Sequence, residues 1–135
     1  EKAIIDVAKI SHLHDFIDSD LPLKYQTIVG ERGVKLSGGQ KQRIGIARAL
    51  YHDPQVLIMD EATNALDNLT EQKVMNSILE LKKLKTIILI THRLSSVKNC
   101  DNIILIEKGK ITQQGKFDQL SQNSDFFKNL TIDPK

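Results

Sequence analysis

The stretch Leu36-Ser37-Gly38-Gly39-Gln40 places two glycines in what reads as the first turn of a helix. Glycine costs about 1 kcal/mol relative to alanine inside a helix, so a pair of them there needs a reason. Ser37 followed three residues later by Gln40 is the pattern of a capping box, which predicts a helix that begins after Ser37. The N–H groups at a helix start favour an anion, and glycines let a large anion approach. LSGGQ therefore predicts a phosphate seat, and the alternative is a helix with a flexible first turn.

Downstream, a buried strand is predicted where four apolar residues, Val56–Met59, precede Asp60 and Glu61. Such a continuous run is typical of a strand covered on both faces. Helical periodicity follows over residues 69–82, and a second apolar run over residues 86–90 predicts another buried strand. Strand, helix and strand in this order predict a βαβ unit and hence a parallel sheet. The fold class is α/β.

Polar residues end both predicted strands. Ligands of open α/β sheets bind beyond the carboxyl ends of the strands. Asp60 suits Mg²⁺, which prefers oxygen ligands, and Glu61 suits the orientation and deprotonation of a water that attacks a phosphate. His92 follows the second strand, so it shares this rim if the two strands are neighbours. The alternatives are a strand end that turns into solvent and a histidine with no role in binding.

The remaining pattern predicts short elements around this unit. Helices are expected over residues 2–10, 12–17, 94–99, 117–120 and 125–130, strands over 103–106 and 110–114, and an irregular connector over 23–35. The helix that begins after Ser37 is expected to end near Tyr51, with an apolar side formed by Ile44, Ala47, Leu50 and Tyr51. In helix 69–82 the residues predicted to face inward are Leu69, Val74, Ile78 and Leu81.

Bulk properties fit a soluble globular domain. The 135 residues are 40% hydrophobic and 27% charged, and the net charge of +2 gives no argument for a nucleic-acid partner. A single cysteine, Cys100, excludes an internal disulfide.

A P-loop, G-x-x-x-x-G-K-[ST], is not found in these residues. Gly33 and Gly38 have the right interval, but Gly39 stands where lysine is required. The segment from Gly109 to Gly115 has one residue too many. These residues thus combine a phosphate seat with an acidic strand end, but they do not include the P-loop that binds the phosphates of ATP.

Five motifs in this order resemble the nucleotide-binding domain of ABC transporters, and the resemblance covers nearly the whole chain. They are the signature Leu36–Gln40, the Walker B segment Val56–Glu61, the D-loop Asn64–Asp67, the H-switch Thr91–Arg93 and the exporter-type segment Val29–Gly33 before the signature. The resemblance implies a P-loop NTPase fold of the ABC type, present in part. Residues 1–52 would be part of the helical subdomain with the signature helix, and residues 53–135 would run from Walker B to the C-terminus.

The resemblance also implies a mechanism, in which two such domains sandwich two ATP molecules. Ser37, Gly38, Gly39 and Gln40 would bind ATP held by the partner domain. Asp60 would bind Mg²⁺, Glu61 would polarise the attacking water, and His92 would contact the γ-phosphate. Asn64 and Asp67 would lie at the dimer seam, and Glu31 and Arg32 would face the transmembrane domain. The protein would work at the cytoplasmic face of a membrane, and this chain alone is expected to be inactive.

Two departures from the family pattern stand out. Asn64 occupies a position where the family commonly has serine, and the P-loop, the adenine-stacking aromatic and the glutamine loop are not found in the chain. An exporter portion is therefore the first hypothesis. A non-catalytic module that docks its signature face on a complete ABC domain, and an ABC ATPase without transport, remain alternatives.

Overall fold

The computed structural model describes residues 1–30 and 35–123, and the chain forms two compact units that divide between Ile90 and Thr91. The predicted helix over residues 125–130, and the predicted coupling residues Glu31 and Arg32, lie outside the described ranges. The elements in chain order are α1 (Lys2–Ile10), α2 (His14–Asp20), α3 (Gly38–Tyr51), β1 (Val56–Asp60), α4 (Asn68–Glu80), β2 (Thr86–Ile90), α5 (Leu94–Val97), β3 (Ile103–Glu107), β4 (Lys110–Gly115) and α6 (Phe117–Asn123).

The βαβ unit predicted from the apolar runs is confirmed. Strands β1 and β2 pair in parallel, with Val56 opposite Thr86 and Asp60 opposite Ile90, and α4 connects them. The parallel pairing brings the carboxyl ends of both strands to one edge, where the Glu61 N–H donates to the Ile90 carbonyl at 2.9 Å. The turn after β1 is therefore fixed to the end of β2.

One face of this two-stranded sheet carries the core of the first unit. Leu57 and Met59 point into it, and Ile87 and Leu89 pack beside them. Helices α3 and α4 cover that face with Ile46, Leu50, Val74, Met75 and Ile78. The N-terminal helices α1 and α2 belong to the same unit, because α1 packs against both α3 and α4 and α2 packs against α1.

Burial was predicted wrongly for both strands of this sheet and for two helix residues, and in β2 Ile88 and Ile90 are 45% and 51% exposed. Val56 and Ile58 are 52% and 63% exposed, so β1 is covered on one face and not on two, because α3 and α4 pack on the same side. Leu69 and Tyr51 are exposed as well. Leu69 lies in the first turn of α4, on a different face from the buried residues of that helix, which include Glu71, Val74 and Ile78.

The second unit contains an antiparallel hairpin. Strands β3 and β4 pair with Glu107 opposite Lys110, and Gly109 adopts a φ of +75° in the turn, which suits glycine. This confirms the two predicted strands, which form a sheet separate from that of β1 and β2. No helix within the described ranges is both long and apolar enough to cross a membrane.

The packing of α4 gives a first prediction. Ile78 is fully buried, so Ile78→Ala should lower the free energy of unfolding by roughly 2–5 kcal/mol. Leu69→Ala, in the same helix but 63% exposed, should change it by less than about 0.5 kcal/mol. Urea unfolding of both variants checks this, and equal losses would show that α4 presents a different face to the core.

Candidate functional site

The predicted capping box is present at the start of α3. The Gln40 N–H donates to Ser37 Oγ at 3.2 Å, and the Ser37 N–H donates to Gln40 Oε1 at 2.8 Å. The first N–H groups of an α-helix have no intrahelical acceptor, so those of Gly38 and Gly39 remain suited to an anion. Ser37 and Gly38 are exposed, which leaves this helix end accessible in the described structure.

The turn after β1 carries the predicted acidic residues. Asp60 ends β1 with its side chain exposed, and Glu61 follows with a φ of +46°. A left-handed conformation is uncommon for a residue other than glycine, so neighbouring contacts must hold it. Two of these contacts are the Glu61 N–H to Ile90 and the Asn64 N–H to the Glu61 carbonyl at 3.2 Å.

Helix α3 meets this turn through Gln42 and Gly39. Gln42 Nε2 donates to the Glu61 carbonyl at 3.4 Å, and its Oε1 accepts from the Ala65 N–H at 2.8 Å. A Cβ atom on Gly39 would lie 3.1 Å from the Ala65 carbonyl oxygen and 3.2 Å from a methyl carbon of Leu66. Gly39 thus lets the helix start approach the turn closely.

The other end of the turn is fixed by α4. Asp67 is its N-cap and accepts from the Thr70 N–H at 3.0 Å. That bond is the main reason why the pKa of the Asp67 carboxyl lies below its ordinary value. Inside the turn, Asn64 Nδ2 donates to Glu61 Oε2 at 2.7 Å, so the predicted seam residue contacts the predicted catalytic carboxylate.

Comparison with known proteins agrees with this geometry. The family described as "ABC transporter" matches residues 7–64. The leukotoxin translocation ATP-binding proteins LktB of Mannheimia haemolytica and Bibersteinia trehalosi are each 54% identical over 122 residues, which is 90% of this chain and 17% of theirs. A bacterial Atm1-family ABC exporter with ATP bound superposes with a TM-score of 0.90 at 38% identity, over 98% of this chain and 23% of its own.

The chain belongs to the ABC transporter family over residues 7–64. It has the ABC ATPase type of P-loop NTPase fold, and it spans less than a quarter of the length of these relatives. The ABC signature Leu36–Gln40 is therefore the capped start of α3, and the Walker B segment is β1 with the residue that follows it. The D-loop, Asn64–Asp67, is the turn between them and α4.

The first unit brings together the ABC signature, Walker B and the D-loop, whereas His92 belongs to the second unit. His92 follows the end of β2 by two residues and is exposed. No cluster of three or more potential metal ligands occurs among the described residues. Asp60 and Glu61 are the two carboxylates of the Walker B segment itself, whereas Asp67 and Glu71 belong to the start of α4.

Sequence reasoning missed three residues that build the site. Gln42 is one, and the others are Thr63 and Glu71, which are buried beneath the turn, where Thr63 Oγ1 donates to Glu71 Oε1 at 3.0 Å. Glu71 shares the helix face of Val74 and Ile78, so its spacing alone placed a carboxylate on the inner side of α4. No comparable signal marks Gln42, because its partners are backbone groups about twenty residues away.

The close approach at Gly39 gives a second prediction, with Gly45 of the same helix as its control. A Cβ atom on Gly45 would meet nothing within 4 Å, so Gly45→Ala should raise the free energy of unfolding by about 0.5–1 kcal/mol. Gly39→Ala should not bring this gain, because its methyl group would press on the Ala65 carbonyl. Thermal unfolding compares the two, and equal gains would contradict the packing described for Gly39.

Proposed function

We propose that this chain is the part of an ABC exporter's ATP-binding domain that carries the signature and Walker B, and that ATP hydrolysis in that protein drives transport across a membrane. One observation carries the proposal: Gln42 ties the start of α3 to the turn of Glu61, so a phosphate seat and an acidic strand end form one hydrogen-bonded unit. Within this proposal, residues 1–52 are part of the helical subdomain with the signature helix, and residues 53–135 are the part of the domain that begins with Walker B.

The phosphate seat is formed by Ser37, Gly38, Gly39 and Gln40. The capping box fixes Gln40 and presents the first N–H groups of α3, which are suited to the γ-phosphate of ATP. Packing does not explain the glycine at position 38, because a Cβ atom added there would lie 3.5 Å from the Ala65 Cβ, an ordinary contact distance. The fold thus tolerates a side chain there, and a glycine serves the approach of an anion.

The acidic residues have separate roles in the proposal. Asp60 offers an exposed carboxylate at the strand end, which fits Mg²⁺, an ion that keeps several waters and uses one or two protein carboxylates beside nucleotide phosphates. The bound ion would neutralise phosphate charge. Glu61 orients and deprotonates the attacking water, and Asn64 holds one of its carboxylate oxygens by the 2.7 Å bond.

The remaining roles follow the family motifs. His92 contacts the γ-phosphate, and Asn64 and Asp67 lie at the seam with a second ABC ATPase domain. Glu31 and Arg32 contact the transmembrane domain. ATP and Mg²⁺ are then the ligands, the cytoplasmic face of a membrane is the location, and the isolated chain is inactive because these residues include no P-loop.

A full-length subunit that carries this chain tests the proposal through Glu61→Gln. The amide keeps the size of the side chain but cannot accept a proton from water, so the rate of ATP hydrolysis should fall by about 10²-fold or more. Binding of ATP should change by less than about threefold, because the affected group acts in the chemical step.

Glu80→Gln is the control, since Glu80 is an exposed carboxylate at the end of α4. Its hydrolysis rate should equal that of the wild type. Retention of more than half of the wild-type rate by Glu61→Gln would exclude Glu61 as the general base.

A further inference from the structure

Gln42 contacts both sides of the turn that carries Glu61. Its amide donates to the Glu61 carbonyl at 3.4 Å and accepts from the Ala65 N–H at 2.8 Å. Because the two bonds run in opposite senses, they require a group with both a donor and an acceptor at its tip. Glutamine meets this requirement, whereas lysine and arginine only donate and an ionised glutamate only accepts.

The bonded groups bracket the residues that orient the Glu61 carboxylate. Between the Glu61 carbonyl and the Ala65 N–H lies Asn64, which donates to Glu61 Oε2 at 2.7 Å. Gln42 therefore fixes the backbone of the turn, and Asn64 fixes the carboxylate relative to that backbone. The left-handed φ of Glu61 makes such support necessary, because an isolated residue rarely keeps this conformation.

Gln42 also lies close to the other half of the site. It follows Gly38 by four residues on α3, and residues four apart share one helix face. The helix is a rigid connection between the capped N-terminus and the Gln42 amide. Any displacement of the helix start relative to β1 must break or carry along the bonds to Glu61 and Ala65.

We propose that Gln42 is a positioning residue for Glu61. Its two hydrogen bonds hold the turn that carries Glu61 at a fixed distance and orientation relative to the phosphate seat at the start of α3. This inference rests on the proposed function. A residue that fixes the geometry of a reacting group, and does not itself bind the nucleotide, affects the chemical step more than affinity. Loss of Gln42 should therefore lower kcat and leave KM nearly unchanged.

The test uses three variants of a full-length subunit. Gln42→Met keeps the length of the side chain and removes both hydrogen bonds, so it should lower kcat about tenfold with KM for ATP within about twofold. Gln42→Glu keeps an acceptor for the Ala65 N–H but cannot donate to the Glu61 carbonyl, so its kcat should lie between those of Gln42→Met and the wild type, about threefold below the wild type. Gln72→Met, at an exposed position of α4, is the control and should match the wild type.

Each outcome decides the inference. A wild-type kcat in Gln42→Met overturns it and leaves the proposed function intact. Parallel changes in kcat, KM and melting temperature, with no partial rescue by Gln42→Glu, also overturn it, because they indicate a purely structural residue. If Gln42→Met does not fold, a Gln42→Glu variant with wild-type kcat overturns the inference in the same way. Absence of ATP hydrolysis in the wild type is seen before any variant is compared, and it refutes the proposed function together with this inference.

Discussion

The close approach of the start of α3 to the turn after β1 is the constraint on which the site depends. It needs a glycine at position 39, where a side chain would press on the Ala65 carbonyl at 3.1 Å, and it needs the Gln42 amide to satisfy the Glu61 carbonyl and the Ala65 N–H. An apolar residue at position 42 would leave both backbone groups without these bonds. The signature and Walker B are therefore parts of one packed unit.

The hydrophobic core beneath this unit holds the start of α3 close to the turn after β1. Helices α3 and α4 pack on the same face of the β1–β2 sheet, so the start of α3, the end of β1 and the start of α4 meet at one edge. Asp67 caps α4 on one side of the turn, and Thr63 donates to the buried Glu71 beneath it. The turn is thus held from α3, from β2 and from α4 at once.

Local sequence predicted the local structure well. The capping box of Ser37 and Gln40 was predicted from spacing alone, because both partners lie within four residues, and the parallel pairing of β1 with β2 followed from two apolar runs. Burial was predicted less well: Val56, Ile58 and Leu69 are exposed, since an apolar pattern does not say which element covers it. Gln42 and Glu71 form their hydrogen bonds with residues of other elements. Helical periodicity can predict which face of a helix carries such a residue, but it does not identify the partner.

We propose that these 135 residues hold the phosphate seat and the acidic strand end of an ATP site, but not the P-loop that binds the nucleotide phosphates. A calorimetric titration of the chain with Mg-ATP, on material whose helix content is verified by circular dichroism, tests this proposal most directly. We expect no saturable binding of Mg-ATP. Saturable binding that Asp60→Ala weakens would contradict the proposal, because the chain would then grip nucleotide without a P-loop.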